Sequence, residues 1–123
     1  MANEIVQFMN GANNVFPKDM PVIADNITIN PETCDTIGAS KIYRIGNIAI
    51  LEITNLQLKQ DITNDTIVAT LPYYIDDIYR GIGVDLTGKT ISFFIRGNLL
   101  YVSGLNSPTT ANLYGCVPFL LYT

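Results

Sequence analysis

The chain has no histidine and no tryptophan, and only two cysteines among its 123 residues. Without histidine, Ser–His–Asp and Cys–His arrangements cannot form, and no local signature of a Ser–Lys or Thr-based nucleophile replaces them. Cys34 and Cys116 lie far apart and outside any C-x-x-C, so zinc would find too few ligands. Neither a metal nor a cofactor is expected. The two cysteines are compatible with one disulfide or with two buried thiols, and nothing marks an oxidising compartment. Charge is also scarce: 15% of residues carry one, against roughly 25% in an average domain. The seven Lys and Arg are scattered singly in a chain of net charge −4, which gives no basic footprint for nucleic acid and no polybasic patch for a membrane surface. No apolar run approaches the ~18 residues of a membrane span. The first residues, MANEIVQFMNGANN, lack the basic and apolar regions of a secretory signal.

What the chain has in abundance is apolar residues, 48% of the total. They fall in strand-like runs that barely alternate. In 91-ISFFIRGNLLYVSG-104, Ile91, Phe93 and Ile95 share one face, yet Phe94 stands on the other. In 48-IAILEI-53, Glu52 shares a face with Ile48 and Ile50, while Leu51 and Ile53 take the second face. A strand that meets water on one side alternates more cleanly. Second-face residues such as Leu51, Ile53 and Phe94 are therefore expected to pack against another subunit.

The length fits about one domain. Residues 1–30, rich in turns and carrying 17-PKDMP-21, read as an N-terminal neck segment with a short strand at Ile27–Ile29. Residues 31–123 read as the main domain. Within it, KIYRI (41–45), Gly46-Asn47 and IAILEI form a hairpin with a tight Gly-X turn. Arg96-Gly97-Asn98-Leu99 repeats the device, and Thr87-Gly88-Lys89 is a third turn. TIVATLP (66–72) is a strand closed by Pro72. In LYGCVPFLLYT (113–123), Pro118 implies an edge, a bulge or a break. The best helical stretch, 73-YYIDDIY-79, is short. The expected fold is all-β, an antiparallel β-sandwich or barrel of jelly-roll or knob-like form.

Among candidate sites, 72-PYYIDDIYR-80 stands out. Tyrosine joins an apolar ring to a polar tip, and carboxylates and guanidinium groups bond hydroxyls, so Tyr74, Asp76, Asp77, Tyr79 and Arg80 form a saccharide-binding set. Tyr73 belongs to the same kit by residue type. The polar loop 104-GLNSPTTANLYG-115 offers Asn106, Ser107, Thr109, Thr110 and Asn112 as lesser candidates. Asp61, Asn64 and Asp65 only loosely resemble a calcium loop. Glycoside hydrolysis needs two placed carboxylates. Glu52 is better read as a surface or ion-paired carboxylate than as a catalytic acid, and no enzymatic activity is expected.

Three segments in order resemble the C-terminal receptor-binding head modules of tail fibres and baseplate proteins from phages of Gram-positive bacteria. They are 13-NNVFPKDMPVIADNITI-29, 43-YRIGNIAILEITNLQL-58 and 66-TIVATLPYYIDDIYRGIGVDLTGKTISFFIRGNLLYVSG-104. The resemblance implies a homotrimeric head in the virion, at the tail tip or fibre, made in the bacterial cytoplasm. It implies host adhesion by carbohydrate binding to cell-wall or surface polysaccharide, beside other tail and baseplate proteins as partners. It transfers no binding site. A structural tail or baseplate joint without saccharide binding is the alternative.

Overall fold

The computed structural model describes residues 22–59, 65–103 and 112–121. Among them are eight strands and no helix. In chain order these are β1 (Ile23–Asn26), β2 (Thr28–Ile29), β3 (Cys34–Thr36), β4 (Lys41–Ile45), β5 (Ile48–Leu58), β6 (Thr66–Asp85), β7 (Thr90–Ser103) and β8 (Leu113–Leu120). Every strand pairing is antiparallel, and the sheet runs β1-β4-β5-β8-β6-β2, with β3 on β5 and β7 on β6. The near-continuous stretch 23–29 almost closes this sheet into a barrel. Its first half pairs with β4 and its second half with β6. Residues read from sequence as part of the neck thus contribute two strands to the sheet.

The β4–β5 hairpin forms at Gly46-Asn47 as expected. Ile45 and Ile48 pair across the turn, and Gly46 takes φ +60°, which glycine reaches at little cost. The Gly97-Asn98 pair does something else. It does not end a strand; β7 runs through it, and Gly97 at φ +65° pairs with Ile75 inside the β6–β7 ribbon. Phe94 and Tyr101 lie in the same strand, yet their rings stack 4.6 Å apart. Seven extended residues would span roughly 23 Å, so β7 bends sharply between them, and Gly97 lies in that bend.

The stretch 73–79, the best helical candidate of the sequence, is strand, in keeping with the all-β expectation, and its Tyr and Ile content favours the extended form. One other expectation is corrected by β6. Pro72 does not close the strand. It falls between the Thr70–Leu99 and Ile75–Gly97 pairs, where its missing N–H removes no ladder bond. Pro118 follows the same logic. Beyond Cys116, β8 has left the β6 ladder and pairs only with β5.

The core assigns the faces of β5 in the opposite sense to the sequence reading. Ala49, Leu51 and Ile53 are buried inside the barrel, and Ile48, Ile50 and Glu52 point out. Phe94 is also covered, but by its own chain: Tyr101 stacks on it, and the Arg80 guanidinium lies 5.1 Å from its ring centre. At the barrel's tightest point β6 and β8 approach through glycines. Gly83 faces Gly115 across the ladder. The buried Phe93 ring rests over both, and a Cβ at either glycine would fall within 2.8 Å of Phe93 Cε2.

Both cysteines are free; Cys34 is buried, but Cys116 is exposed, so the expectation of two buried thiols holds only for the first. Burial pushes the Cys34 thiol up to about 11, which leaves it inert at neutral pH.

The β6–β7 turn is held by a buried carboxylate. Asp85 Oδ1 accepts from Thr87 Oγ1 at 2.6 Å, Thr87 N at 2.8 Å and Lys89 N at 3.0 Å. These bonds, the Thr87 hydroxyl first, lower the Asp85 pKa against the opposing effect of burial. A carboxylate whose folded pKa is depressed stabilises the fold above its unfolded value of about 3.9, and that contribution disappears as pH falls through the folded value. Asp85→Asn is expected to lower the melting temperature at pH 7 and to change it less at pH 3, because protonation removes the same stabilisation from the parent. Equal losses at both pH values would refute the linkage.

Candidate functional site

The sequence-predicted segment owes its exposure to a mismatch between β6 and β7. Between the Thr70–Leu99 and Tyr79–Ile95 pairs, β6 advances nine residues while β7 advances four. The eight residues 71–78 of β6 face only three of β7, so five are surplus and must leave the ladder, while Ile75 keeps a pairing with Gly97. Bulges of this kind re-aim side chains at sheet corners and rims. Here the excursion carries Tyr74, Asp76, Asp77 and Ile78 into solvent, with Tyr74 77% exposed, while Ile75 stays in the core.

The base of the excursion is fastened to the barrel seam. Tyr73 donates its hydroxyl hydrogen bond to Asp25 on β1. Arg44 on β4 donates from Nε to Asp25 Oδ2 and to the Tyr73 hydroxyl, each at 3.2 Å. The Arg44 guanidinium also lies 5.7 Å from the Tyr73 ring centre. Tyr73 therefore has a structural role, tying β6 to the β1–β4 pair.

Tyr74, Ile75, Asp76, Asp77 and Tyr79 line one shallow cleft together with Leu120 and Leu121 at the end of β8. The space it encloses is about 30 Å³, room for roughly one water. A ligand would lie on this surface rather than inside it. Tyr79 is half-buried, its ring 6.3 Å from that of Phe119 at an angle of 51°. The Tyr74 ring rests beside Gly97, 3.5 Å from where a Cβ there would stand. The cleft thus offers an apolar floor, an open tyrosine ring and two solvated carboxylates, a set suited to a flat ligand edged with hydroxyls.

Arg80 does not join this group. Adjacent strand residues point to opposite faces, and Arg80 lies over Phe94 on the far face from Tyr79. The predicted set of five therefore divides into a cleft of four residues and one arginine elsewhere. Leu120 and Leu121 were not among the candidates. Their place depends on the β5–β8 pairing and on the 2.8 Å bond from Leu121 N to Asn47 O, which no local pattern signals.

Of the lesser candidates, Asn112 is structural: it bonds the Asn55 side chain, and its carbonyl accepts from Leu86 N at 3.1 Å. Asn106, Ser107, Thr109, Thr110, Asp61 and Asn64 lie outside the described residues. Asp65 is exposed, and no cluster of three metal-ligating side chains occurs among the described residues. Glu52 is a surface carboxylate paired across the sheet with Lys41 and Cys116.

A second feature is the outer face of the sheet. Tyr43, Ile50 and Pro118 lie side by side across β4, β5 and β8. Ile48 sits beside Leu120, Cys116 beside Ile82, and Tyr114 beside Val84. Most of these are exposed, Ile82 to 71%. An apolar groove of about 140 Å³, lined by Val22, Tyr43, Arg44, Ile45, Ile48 and Ile50, continues the face at one end. No protein-family model matches this chain, and no curated protein or solved structure is found to be similar to it.

Proposed function

We propose that this chain is a non-enzymatic receptor-binding head of a phage tail fibre or baseplate, assembled as a homotrimer, that recognises host cell-surface saccharide. The observation that carries the reading is the cleft. The surplus in β6 presents Tyr74, Asp76 and Asp77 beside the half-buried Tyr79 on one surface, where a sugar ring can stack on tyrosine and bond carboxylates through its hydroxyls. So shallow a site binds weakly, and three copies on one particle would raise the avidity. The apolar face across β4, β5, β8 and β6 supports assembly, since contiguous exposed apolar residues on neighbouring strands are a common mark of interaction surfaces. The phage setting rests on the ordered resemblance of residues 13–29, 43–58 and 66–104.

The same apolar face favours a second reading, a tail or baseplate joint that binds other virion proteins and no sugar. Retention of the chain on purified host cell-wall polysaccharide separates the two. The head should be retained and should release no reducing ends. Tyr74→Ala is expected to weaken retention about tenfold, the order of one lost aromatic contact. A parent chain that binds no host polysaccharide would leave the joint as the better reading.

A further inference from the structure

The apolar groove at the end of the outer face lies where the chain enters the barrel. Val22, the residue before β1, stands on its rim and is 61% exposed. The β4–β5 ladder sets Ile45 against Ile48 and Tyr43 against Ile50, and the groove runs between these two rows. Its space of about 140 Å³ is close to the ~150 Å³ of an apolar cavity that takes one benzene ring. The one charged residue in its lining, Arg44, is already bonded to Asp25 at 3.2 Å, so nothing there calls for an anion.

Twenty-one residues precede Val22, and the nearest aromatic ring among them is Phe16 in 15-VFP-17. Proline fixes its own φ and holds its predecessor extended, so Pro17 and Pro21 predict an extended 17-PKDMP-21. Phe16 stands six positions before Val22. At about 3.1 Å per residue, such a connection carries it roughly 19 Å from its own groove, beyond the reach of its ring. We propose that the groove receives the Phe16 ring of a second copy of this chain, a contact that rests on the homotrimer reading and closes that assembly. Each copy then holds one ring and one groove, a head-to-tail pairing in which it gives to one neighbour and receives from the other, and the series closes on itself. The groove is continuous with the apolar face assigned to assembly: Ile50 belongs to both and lies beside Pro118. The proline after Phe16 restricts the donated segment before it docks, which lowers the ordering cost.

The test is disulfide trapping in full chains that carry Cys116→Ser together with Phe16→Cys and Ile48→Cys. Ile48 is exposed and outside the core, so the fold should be retained. After mild oxidation a denaturing gel should show products at multiples of 13.6 kDa, and reductant should remove them. Leu86→Cys in place of Ile48→Cys is the control. It is 66% exposed, but it adjoins the Asp85–Leu113 pair, whereas Ile48 pairs with Leu120 at the other end of β8, and it should trap little. Phe16→Ser should raise the dissociation constant of the assembly at least about tenfold, and Phe8→Ser should change it far less. A single-chain product with an internal 16–48 disulfide overturns the exchange and leaves the groove to the chain's own segment. No product above the Leu86→Cys control overturns it and hands the groove to a different protein. Equal effects of Phe16→Ser and Phe8→Ser overturn the choice of ring. Light scattering of the parent separates the two levels: a lone chain in solution removes the assembly itself, whereas an assembly without trapping removes this contact alone.

Discussion

Gly83→Ala should destabilise this protein by at least about 3 kcal/mol, beyond the middle of the range for overpacked cores. A Cβ at residue 83 would stand 1.9 Å from the Tyr114 carbonyl oxygen and 2.7 Å from Phe93 Cε2. The first obstacle is backbone and cannot rotate away, so β6 and β8 must separate. Gly115→Ala meets Phe93 Cε2 first, at 2.8 Å, and the Gly83 Cα at 2.9 Å. The two substitutions should therefore respond differently to shrinkage of the ring. Phe93→Ala alone should cost about 3–5 kcal/mol. The gentler Phe93→Leu should recover part of the Gly115→Ala loss and little of the Gly83→Ala loss. Urea unfolding of the two double-mutant cycles measures this. Equal rescue at both positions would show that the ring, not the carbonyl, sets the spacing.

The second large effect concerns the proposed assembly. If the chain is the homotrimer proposed above, Ile50→Glu with Ile82→Glu converts it into single 13.6 kDa chains on light scattering. Each isoleucine shielded between copies contributes about 1.5–3 kcal/mol, and a carboxylate left unpaired in the contact adds a further penalty. Together they should raise the dissociation constant by more than about a hundredfold. Neither residue belongs to the core of the single chain, so the secondary structure should be retained. Cys116 reports the same event. It lies beside Ile82 on that face and should react slowly with a thiol reagent in the parent and quickly in the variant. Cys34, buried inside the barrel, should react in neither. A parent that already scatters as a single chain, with Cys116 fully reactive, would overturn the assembly.

The all-β class was legible because turn residues interrupt apolar runs at short intervals, and the Gly46-Asn47 hairpin because glycine there is followed at once by a paired strand. Gly97-Asn98 carries the same local signal yet sits in a continuous strand. Turn chemistry reports that the backbone can depart from ordinary strand geometry, not whether the chain then reverses. The faces of β5 were ambiguous because both are apolar. The lone carboxylate of Glu52 was the available mark of the solvent side, and Ile48 and Ile50 share that side with it. At the site, the clustering of Tyr74, Asp76, Asp77 and Tyr79 was visible in the sequence. The surplus that extrudes them was not, since it exists only relative to the register of β7. Arg80 was grouped with them by proximity along the chain, whereas strand alternation sends it to the opposite face.

The seam formed by residues 23–29 has a consequence for how the molecule is made. These residues leave the ribosome before either of their neighbours, β4 and β6, and β2 must wait some forty residues for Thr70 and Ala69 to emerge. A ladder between distant parts of a chain forms late, after the entropy of a long loop has been overcome. One half of the clasp can meet β4 early, its other half must wait for β6, and until β8 arrives to join the still more distant β5 the interior that Phe93 and its neighbours will fill stands open to whatever chaperone or sister chain arrives.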